Sequence, residues 1–162
     1  MDRENKQDNL ASIVARLHTA IHSEGVGNGG RAALRKADPS QPLPMSFYRF
    51  AAHYLPDHWE NNRSAWICLV SSLANIRAQS HDMKRAFGAE LAKAGYTELR
   101  MNKLLSAKSD MLEHQVRQIS RLFQSKAINA NWVDPARLLL AKDNTAREAI
   151  RQQLATDYYK SI

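Results

Sequence analysis

Apolar residues recur every three or four positions along most of this chain, and that spacing places them on one face of an α-helix. The clearest example lies in residues 109–124, where Leu112, Val116, Ile119 and Phe123 form a single stripe. No stretch alternates apolar and polar residues as a half-buried strand does. The pattern therefore predicts an all-α protein, a single helical bundle of about eight to nine helices.

Helix boundaries follow from the residue types that favour starts and ends. Gly95 readily adopts the left-handed conformation that closes a helix, and Thr97 is placed to cap the next one. Asp134 followed by Pro135 is a helix start signal, an N-cap with proline in the first turn. After a flexible tail at residues 1–9, the predicted helices are 10–21, one that ends before residue 38, 46–55, a long one from near Trp59 to about Arg77, 83–94, 98–107, 109–124, one that starts at 134, and 143–159.

The most apolar of these helices, the long one that ends near Arg77, is expected to lie at the centre of the core. It carries Trp66, Leu69, Val70 and Leu73 on a buried face. With 162 residues the chain is long enough to bury a core as one domain, residues 10–162. We expect the apolar stripe of residues 109–124 to pack against this helix.

Positive charge is in excess, and it is unevenly placed. The chain carries 23 Lys and Arg against 16 Asp and Glu, a net charge of +7 with a pI near 9.8. The excess is greatest in residues 77–108, which hold seven cations and three acids. A localised positive charge favours a polyanionic partner, nucleic acid first and an acidic membrane surface second.

One stretch, GVGNGGRAALRKA at residues 25–37, joins glycines to three cations. Its glycines predict a flexible turn that feeds a helix start. Arg31 and Arg35 are four residues apart and share a helix face, and Lys36 follows. Free N–H groups at a helix start together with guanidinium groups are a suitable seat for phosphate, and the alternative is a helix connection with solvated arginines.

Further cations recur on helix faces turned away from the apolar stripes. With Leu112 as the core direction, three side chains of the predicted helix 109–124 point to the opposite side, at 100° per residue. These side chains are His114, Arg117 and Arg121. The neighbouring cations are Arg100, Lys103 and Lys108.

The sequence lacks several patterns that are typical of enzyme sites. GVGNGG has neither the preceding strand nor the following Gly-Lys-Ser/Thr of a phosphate loop, and no serine sits in a Gly-x-Ser-x-Gly turn. The Arg–His pairs at 49/53 and 77/81 miss by one residue the Arg-x4–6-His spacing of helical ribonucleases. The acids are scattered rather than paired for magnesium. We therefore expect no catalytic residue and no cofactor.

Histidine and cysteine usage points the same way. His18 and His22 are four residues apart, but they lack the glutamate of HExxH and a third ligand, so we expect solvated side chains and no metal site. The lone cysteine, Cys68, lies in an apolar run and is expected to be a buried thiol in a reducing cytoplasm. No apolar run approaches the ~20 residues of a membrane span, and the polar N-terminus is unlike a signal peptide.

Three segments, taken in order, resemble one family. GGRAALRKADP with FY downstream is similar to the opening "G-x-x-A-x-L-R-R-A … P … F-Y" of the small subunit of the type I-E CRISPR Cascade complex, the CasB family. FGAELAKAGYTELRMNKLLSAKSDMLEHQVRQISRLF, residues 87–123, resembles that family's "L-G-x-x-L-x-x-x-G … E-x-R … R-L-L-x-A … L-x-x-Q-x-R-x-x-x-x-L". RQQLATDYY, residues 151–159, resembles its tail. Lys36 and Lys103 depart from the family, which often has arginine there.

The resemblance implies a non-catalytic, all-helical subunit of an RNA-guided antiviral particle. Such subunits occur as two copies, contact the backbone-forming and large subunits, and present cations to guide RNA and target DNA. Guide RNA then reads the target strand while protein holds the backbone and the displaced strand. The positions that match the family are Arg31, Arg35, Lys36, Arg100, Lys108 and Arg117, and Lys103 and Arg121 join them because of the direction they face.

Two alternatives stay open. A free-standing helical DNA-binding regulator would need a recognition helix behind a tight turn, and the closest case, residues 95–97, is followed by Glu98, which would repel phosphate. A structural adaptor would use the same charge only to contact protein.

Overall fold

The apolar spacing is realised as helices throughout the part of the chain that can be described. A computed structural model describes the backbone of residues 2–162 and the side chains of residues 9–162. Within those residues nine α-helices and one short 3-10 helix, at Trp59–Asn62, form, and no strand does, which confirms the all-α prediction. The helices are α1 (Asp2–Ile21), α2 (Gly27–Arg35), α3 (Met45–Tyr54), α4 (Arg63–Asn75), α5 (Phe87–Lys93), α6 (Glu98–Ser106), α7 (Ser109–Lys126), α8 (Val133–Leu140) and α9 (Asn144–Tyr159).

Much of the proposed tail, residues 1–9, falls outside this description. Met1 and the side chains of residues 2–8 are not described, although α1 is assigned from Asp2. The flexible tail stays a prediction.

Helix α4 is the centre of the core, as predicted. Every residue from 65 to 74 is buried, and α1, α2, α7 and α8 pack around this helix. The α7 stripe faces it, with Leu73 of α4 fully buried and Ile119 of α7 only 1% exposed. The predicted packing of the two helices is therefore confirmed.

Helix α5 packs mainly on the C-terminal helix α9. The contact is close because α5 carries Gly88, where an added Cβ would clash with the carbonyl oxygen of Leu154. The hydroxyl of Tyr158, on α9, donates to the carbonyl oxygen of Tyr96, next to the start of α6. Phe87 in turn packs on Phe123 and Trp132, with ring centroids 5.2 and 5.1 Å away, and joins α5 to the α4 core.

The predicted helix 83–94 is too long at its start, since α5 begins at Phe87. Residues 77–86 form an irregular segment that pairs with the loop before α8 instead. The Asp82 N–H donates to the Ala130 carbonyl oxygen at 3.0 Å, and the Ala130 N–H donates to that of Ser80 at 2.9 Å. The Asp82 carboxylate also accepts from the Lys84 N–H at 2.9 Å, a local turn that competes with helix formation.

Asp134 does not cap its own helix, so that part of the prediction is wrong. Helix α8 starts at Val133, whose N–H donates to the side-chain oxygen of Asn131 at 3.0 Å. The Asp134 carboxylate is buried and accepts from the Phe87 N–H at the start of α5, 3.4 Å away. It also pairs with Arg137 at 3.6 Å. The acid therefore caps a neighbouring helix rather than α8.

Candidate nucleic-acid interface

Three predicted cations lie on or next to α2. The glycine-rich stretch is a turn only up to residue 26, since Gly27 begins the helix with a φ of +70° and the next glycines are helical. Arg31 is half-buried and donates to the Asn28 side chain at 2.7 Å. Arg35 is exposed and donates weakly, at 3.4 Å, to the Ala74 carbonyl oxygen at the end of α4, and Lys36 is exposed at the end of α2.

A second set of predicted cations is brought together between two helices. Arg100 and Lys103 on α6 face Arg121 on α7 across a groove of about 430 Å³. All three side chains are exposed, and no carboxylate lines the groove within the described residues. Thr97 fixes the start of α6, because its hydroxyl oxygen accepts from the Arg100 N–H at 3.3 Å, as predicted for this cap. Gly95 before it has a φ of +78°, the left-handed conformation predicted there.

Three further residues of the groove were missed by the sequence analysis. Gln115 and Gln118 lie on the α7 wall, and Tyr96 closes the groove at the α6 end. The Tyr96 hydroxyl donates weakly to the Gln115 side-chain oxygen, at 3.5 Å. The Gln115 amide nitrogen makes a second weak contact, to Met111 Sδ. A signal was available, because residues 115, 118 and 121 follow one another at intervals of three along a single helix face.

Arg117 is more enclosed than predicted. Its Nε and Nη2 atoms are buried and have no hydrogen-bond partner among the described residues. Hydrogen bonds from Ser40 lower the pKa of Asp38, and the charge of Arg117 adds a smaller contribution. The buried face of α7 also includes Glu113 and Ser120. The centre of this face therefore lies about 40° from the direction of Leu112, on the side of Arg117. The expectation that Arg117 points away from the core is therefore wrong.

Lys108 stands apart from both sets of cations. It is exposed at the N-cap of α7 and makes no side-chain capping bond. The structure thus distributes the eight predicted residues over the α2 surface (Arg31, Arg35 and Lys36), the α6/α7 groove (Arg100, Lys103 and Arg121) and the two separate positions of Lys108 and Arg117.

The prediction that the α1 histidines are solvated is wrong for His18, which is buried, while His22 is half-buried. His18 is 6% exposed, and its Nε2–H donates to the Arg77 carbonyl oxygen at 3.1 Å. His22 donates in the same way to the Leu73 carbonyl oxygen at 3.3 Å. The ring of His81 lies 5.9 Å from that of His18 and accepts from the Trp132 N–H at 3.2 Å through Nδ1. Burial lowers the pKa of His18 from 6.5 to about 4 and also lowers those of His22 and His81.

Other candidate chemistry is sparse in the described part of the chain. Cys68 is buried as predicted, and burial raises the pKa of its thiol to about 12. Among the residues described, no three His, Cys, Asp or Glu side chains are arranged to hold a metal ion. None of the helices described has the length and apolar character needed to cross a membrane.

The comparison with protein families agrees with the resemblance noted in the sequence. The family model of CRISPR-associated protein Cse2 matches residues 30–159. The match covers most of the chain and includes α3 to α9 together with all eight predicted site residues. No curated protein matches the chain.

Proposed function

Because this chain belongs to the CRISPR-associated protein Cse2 family, the small subunit of type I-E Cascade, we propose that it holds nucleic-acid backbone within that complex. Its basic surfaces stabilise the open target site by binding the phosphates of the displaced strand, without reading bases. The proposed contact residues are the eight predicted cations, Arg31, Arg35, Lys36, Arg100, Lys103, Lys108, Arg117 and Arg121, of which Arg117 is the least accessible.

The observation that carries this proposal is the α6/α7 groove. Three exposed cations from two helices converge there, and the groove has no carboxylate to neutralise them among the described residues. On a protein surface that only keeps the molecule in solution, positive and negative side chains are interspersed. A concave surface with only positive charge concentrates anions and attracts a phosphate backbone.

The remaining parts of the proposal concern partners and chemistry. Cse2 is a structural Cascade subunit, and this chain is proposed to contact the backbone-forming and large subunits, a second copy of itself, guide RNA and target DNA. It is proposed to be non-catalytic and cytoplasmic, and the buried free thiol of Cys68 fits a reducing compartment. Metal-dependent cleavage of RNA or DNA that survives repurification would contradict the non-catalytic role.

The proposal is tested in the assembled complex by reversing three charges, Arg31→Glu, Arg100→Glu and Arg121→Glu. Arg117 is left intact because its guanidinium is partly enclosed, so its loss would disturb packing. Each phosphate contact contributes about 0.7 to the slope of log affinity against log salt for a single strand. We expect the triple variant to flatten that slope by about two units and to release the displaced strand at moderate salt, while guide RNA stays bound.

A matched control reverses three exposed lysines outside both surfaces, Lys84, Lys142 and Lys160. It alters net charge equally and should keep a slope close to the parent's. If the Arg31, Arg100 and Arg121 variant holds the open site as well as the parent does at the same salt, the basic surfaces contact protein instead and the chain is an adaptor.

A further inference from the structure

The α6/α7 groove has a chemistry that the α2 surface lacks. Its walls present three cations and two amide side chains, Gln115 and Gln118, all of which can donate hydrogen bonds to an anion. On α2 the cations lie along one convex helix, and Arg31 and Arg35 already donate to protein acceptors. The groove is therefore the better prepared of the two surfaces for enclosing a phosphate chain.

The groove lies between two neighbouring helices, and donors line both of its walls. Arg100 and Lys103 are three residues apart on α6, so their Cβ atoms are about 5–6 Å apart along that wall. Gln118 and Arg121 have the same spacing on α7. The groove has a volume of about 430 Å³, so it can enclose part of one extended backbone. A duplex, whose major groove alone is about 12 Å wide, can contact only the rim.

The aromatic ring at the groove does not offer a stacking surface. Tyr96 is 6% exposed, and its hydroxyl is turned towards Gln115. Bases bound by single-strand proteins stack on exposed aromatic faces, and the lining residues provide none. Contacts in the groove are therefore made to phosphate and sugar, and they are independent of sequence.

From this arrangement we infer that the α6/α7 groove is the main binding site for the backbone of a single nucleic-acid strand, and that Gln115 and Gln118 are additional binding residues. The inference rests on the proposed function and names the site, the strandedness and two uncharged contacts. Gln115 is half-buried and contacts the Tyr96 hydroxyl at 3.5 Å, while Gln118 is exposed and free to reach a phosphate oxygen.

Uncharged and charged contacts leave different signatures, which makes the inference testable. A lost cation contact flattens the dependence of log affinity on log salt, because fewer counterions are released. A lost amide contact weakens binding equally at every salt concentration, since no counterion is involved. The probe is a short fluorescent oligo(dT) strand, bound to the full-length chain and to the assembled complex, with a duplex of the same length for comparison.

The cation arm compares two triple variants. Arg100→Gln, Lys103→Gln and Arg121→Gln together should flatten the single-strand slope by about two units. The corresponding α2 variant, with Arg31, Arg35 and Lys36 changed to Gln, should flatten it by less than one unit. Replacing Lys84, Lys142 and Lys160 by Gln removes the same charge elsewhere and should leave the slope unchanged.

The glutamine arm uses Gln115→Ala with Gln118→Ala, which should weaken binding about tenfold with no change in slope. Gln118→Ala alone guards against misfolding, because that side chain is exposed. This single variant should lose part of the affinity that the double variant loses. Gln118→Glu should weaken binding further by repelling phosphate. Gln124→Ala, an exposed glutamine of α7 outside the groove, is the matched control and should bind as the parent does.

Each contrary outcome has a definite meaning. If the α2 variant flattens the slope and the groove variant behaves as the lysine control does, the groove assignment is wrong and the proposed function stands. If neither variant changes the slope, the proposed function fails. If a duplex binds as tightly as a single strand, the groove is not specific for single strands. If both Gln118 variants keep the parent's affinity, the glutamine contacts are wrong. If the groove variant loses a Cascade subunit but keeps its affinity for the strand, the groove is a protein contact.

Discussion

Mild acid is expected to destabilise this protein through its buried histidines. His18 has a pKa of about 4 when folded and about 6.5 when unfolded, because burial disfavours the charged ring. The unfolded chain therefore binds more protons between these two values, and acidification favours it. The stability contributed by the neutral ring is complete above about pH 6.5 and is lost as the pH falls towards about 4.

The size of the effect follows from the two pKa values. Between about pH 7 and about pH 5.5, unfolded His18 becomes largely protonated while folded His18 stays neutral, which lowers the free energy of unfolding by about 1 kcal/mol. The pKa values of His22 and His81 are also lowered by burial, so both add to the loss. A charged His18 would in addition face those two rings, at 4.8 and 5.9 Å between centroids.

The measurement is urea unfolding at a series of pH values, followed by tryptophan fluorescence. Trp132 is a suitable reporter because its backbone N–H donates to His81. His18→Gln retains a donor for the Arg77 carbonyl oxygen but does not titrate, so its free energy of unfolding should fall by about 1 kcal/mol less over the same interval. His53→Gln, at an exposed position of α3, serves as the control. The reasoning is refuted if His18→Gln and the parent lose the same stability.

Two further predictions concern packing. Leu73→Ala and Ile119→Ala should each lower the free energy of unfolding by about 2–5 kcal/mol, because both side chains are buried where α4 meets α7, and unchanged thermal midpoints would show that the core lies elsewhere. Gly88→Ala should cost about 1–3 kcal/mol, since the added carbon meets backbone at Leu154, whereas Gly29→Ala, with open space around it, should be neutral or slightly stabilising. Equal melting temperatures for the two alanine variants would contradict the close approach of α5 and α9.

Local signals in the sequence predicted the parts of the fold that depend on neighbouring residues. The stripe of residues 112–123 and the apolar helix opposite it predicted the packing of α7 on α4, and Gly95 and Thr97 marked a helix end and the following helix start. These features follow from spacing and backbone preference alone. The outward direction of Arg121 on α7 was predicted for the same reason, because a helix face can be calculated from residue numbers.

The failures share a different cause, contact between residues far apart in the chain. Asp134 looks like a cap of its own helix, but the acceptor is used by Phe87, 47 residues earlier. His18 lies four residues after buried Val14, on the apolar face of α1, and a backbone carbonyl 59 residues later makes its burial tolerable. Neither partner can be identified from the local sequence.

The groove shows the same limit at the candidate site. The spacing predicted which way Arg121 faces but not that α6 lies opposite it, and the width of the buried arc on α7 decided that Arg117 is enclosed. Gln115 and Gln118 carry no charge, so the distribution of charged residues does not indicate them. Their spacing with Arg121 marks one helix face, but only the opposite wall, α6, shows that this face lines a groove.

The close contact of α5 with α9 also delays part of the folding during synthesis. Tyr96, whose carbonyl oxygen accepts from Tyr158, is synthesised 62 residues before it. Gly88 and the Leu154 backbone that packs on it are separated by a similar length of chain. At a synthesis rate of about 5–20 residues per second, this delay is roughly 3–13 s. During that time the surface around Gly88 lacks its α9 partner, so the nascent chain depends on the α4 core until α9 emerges.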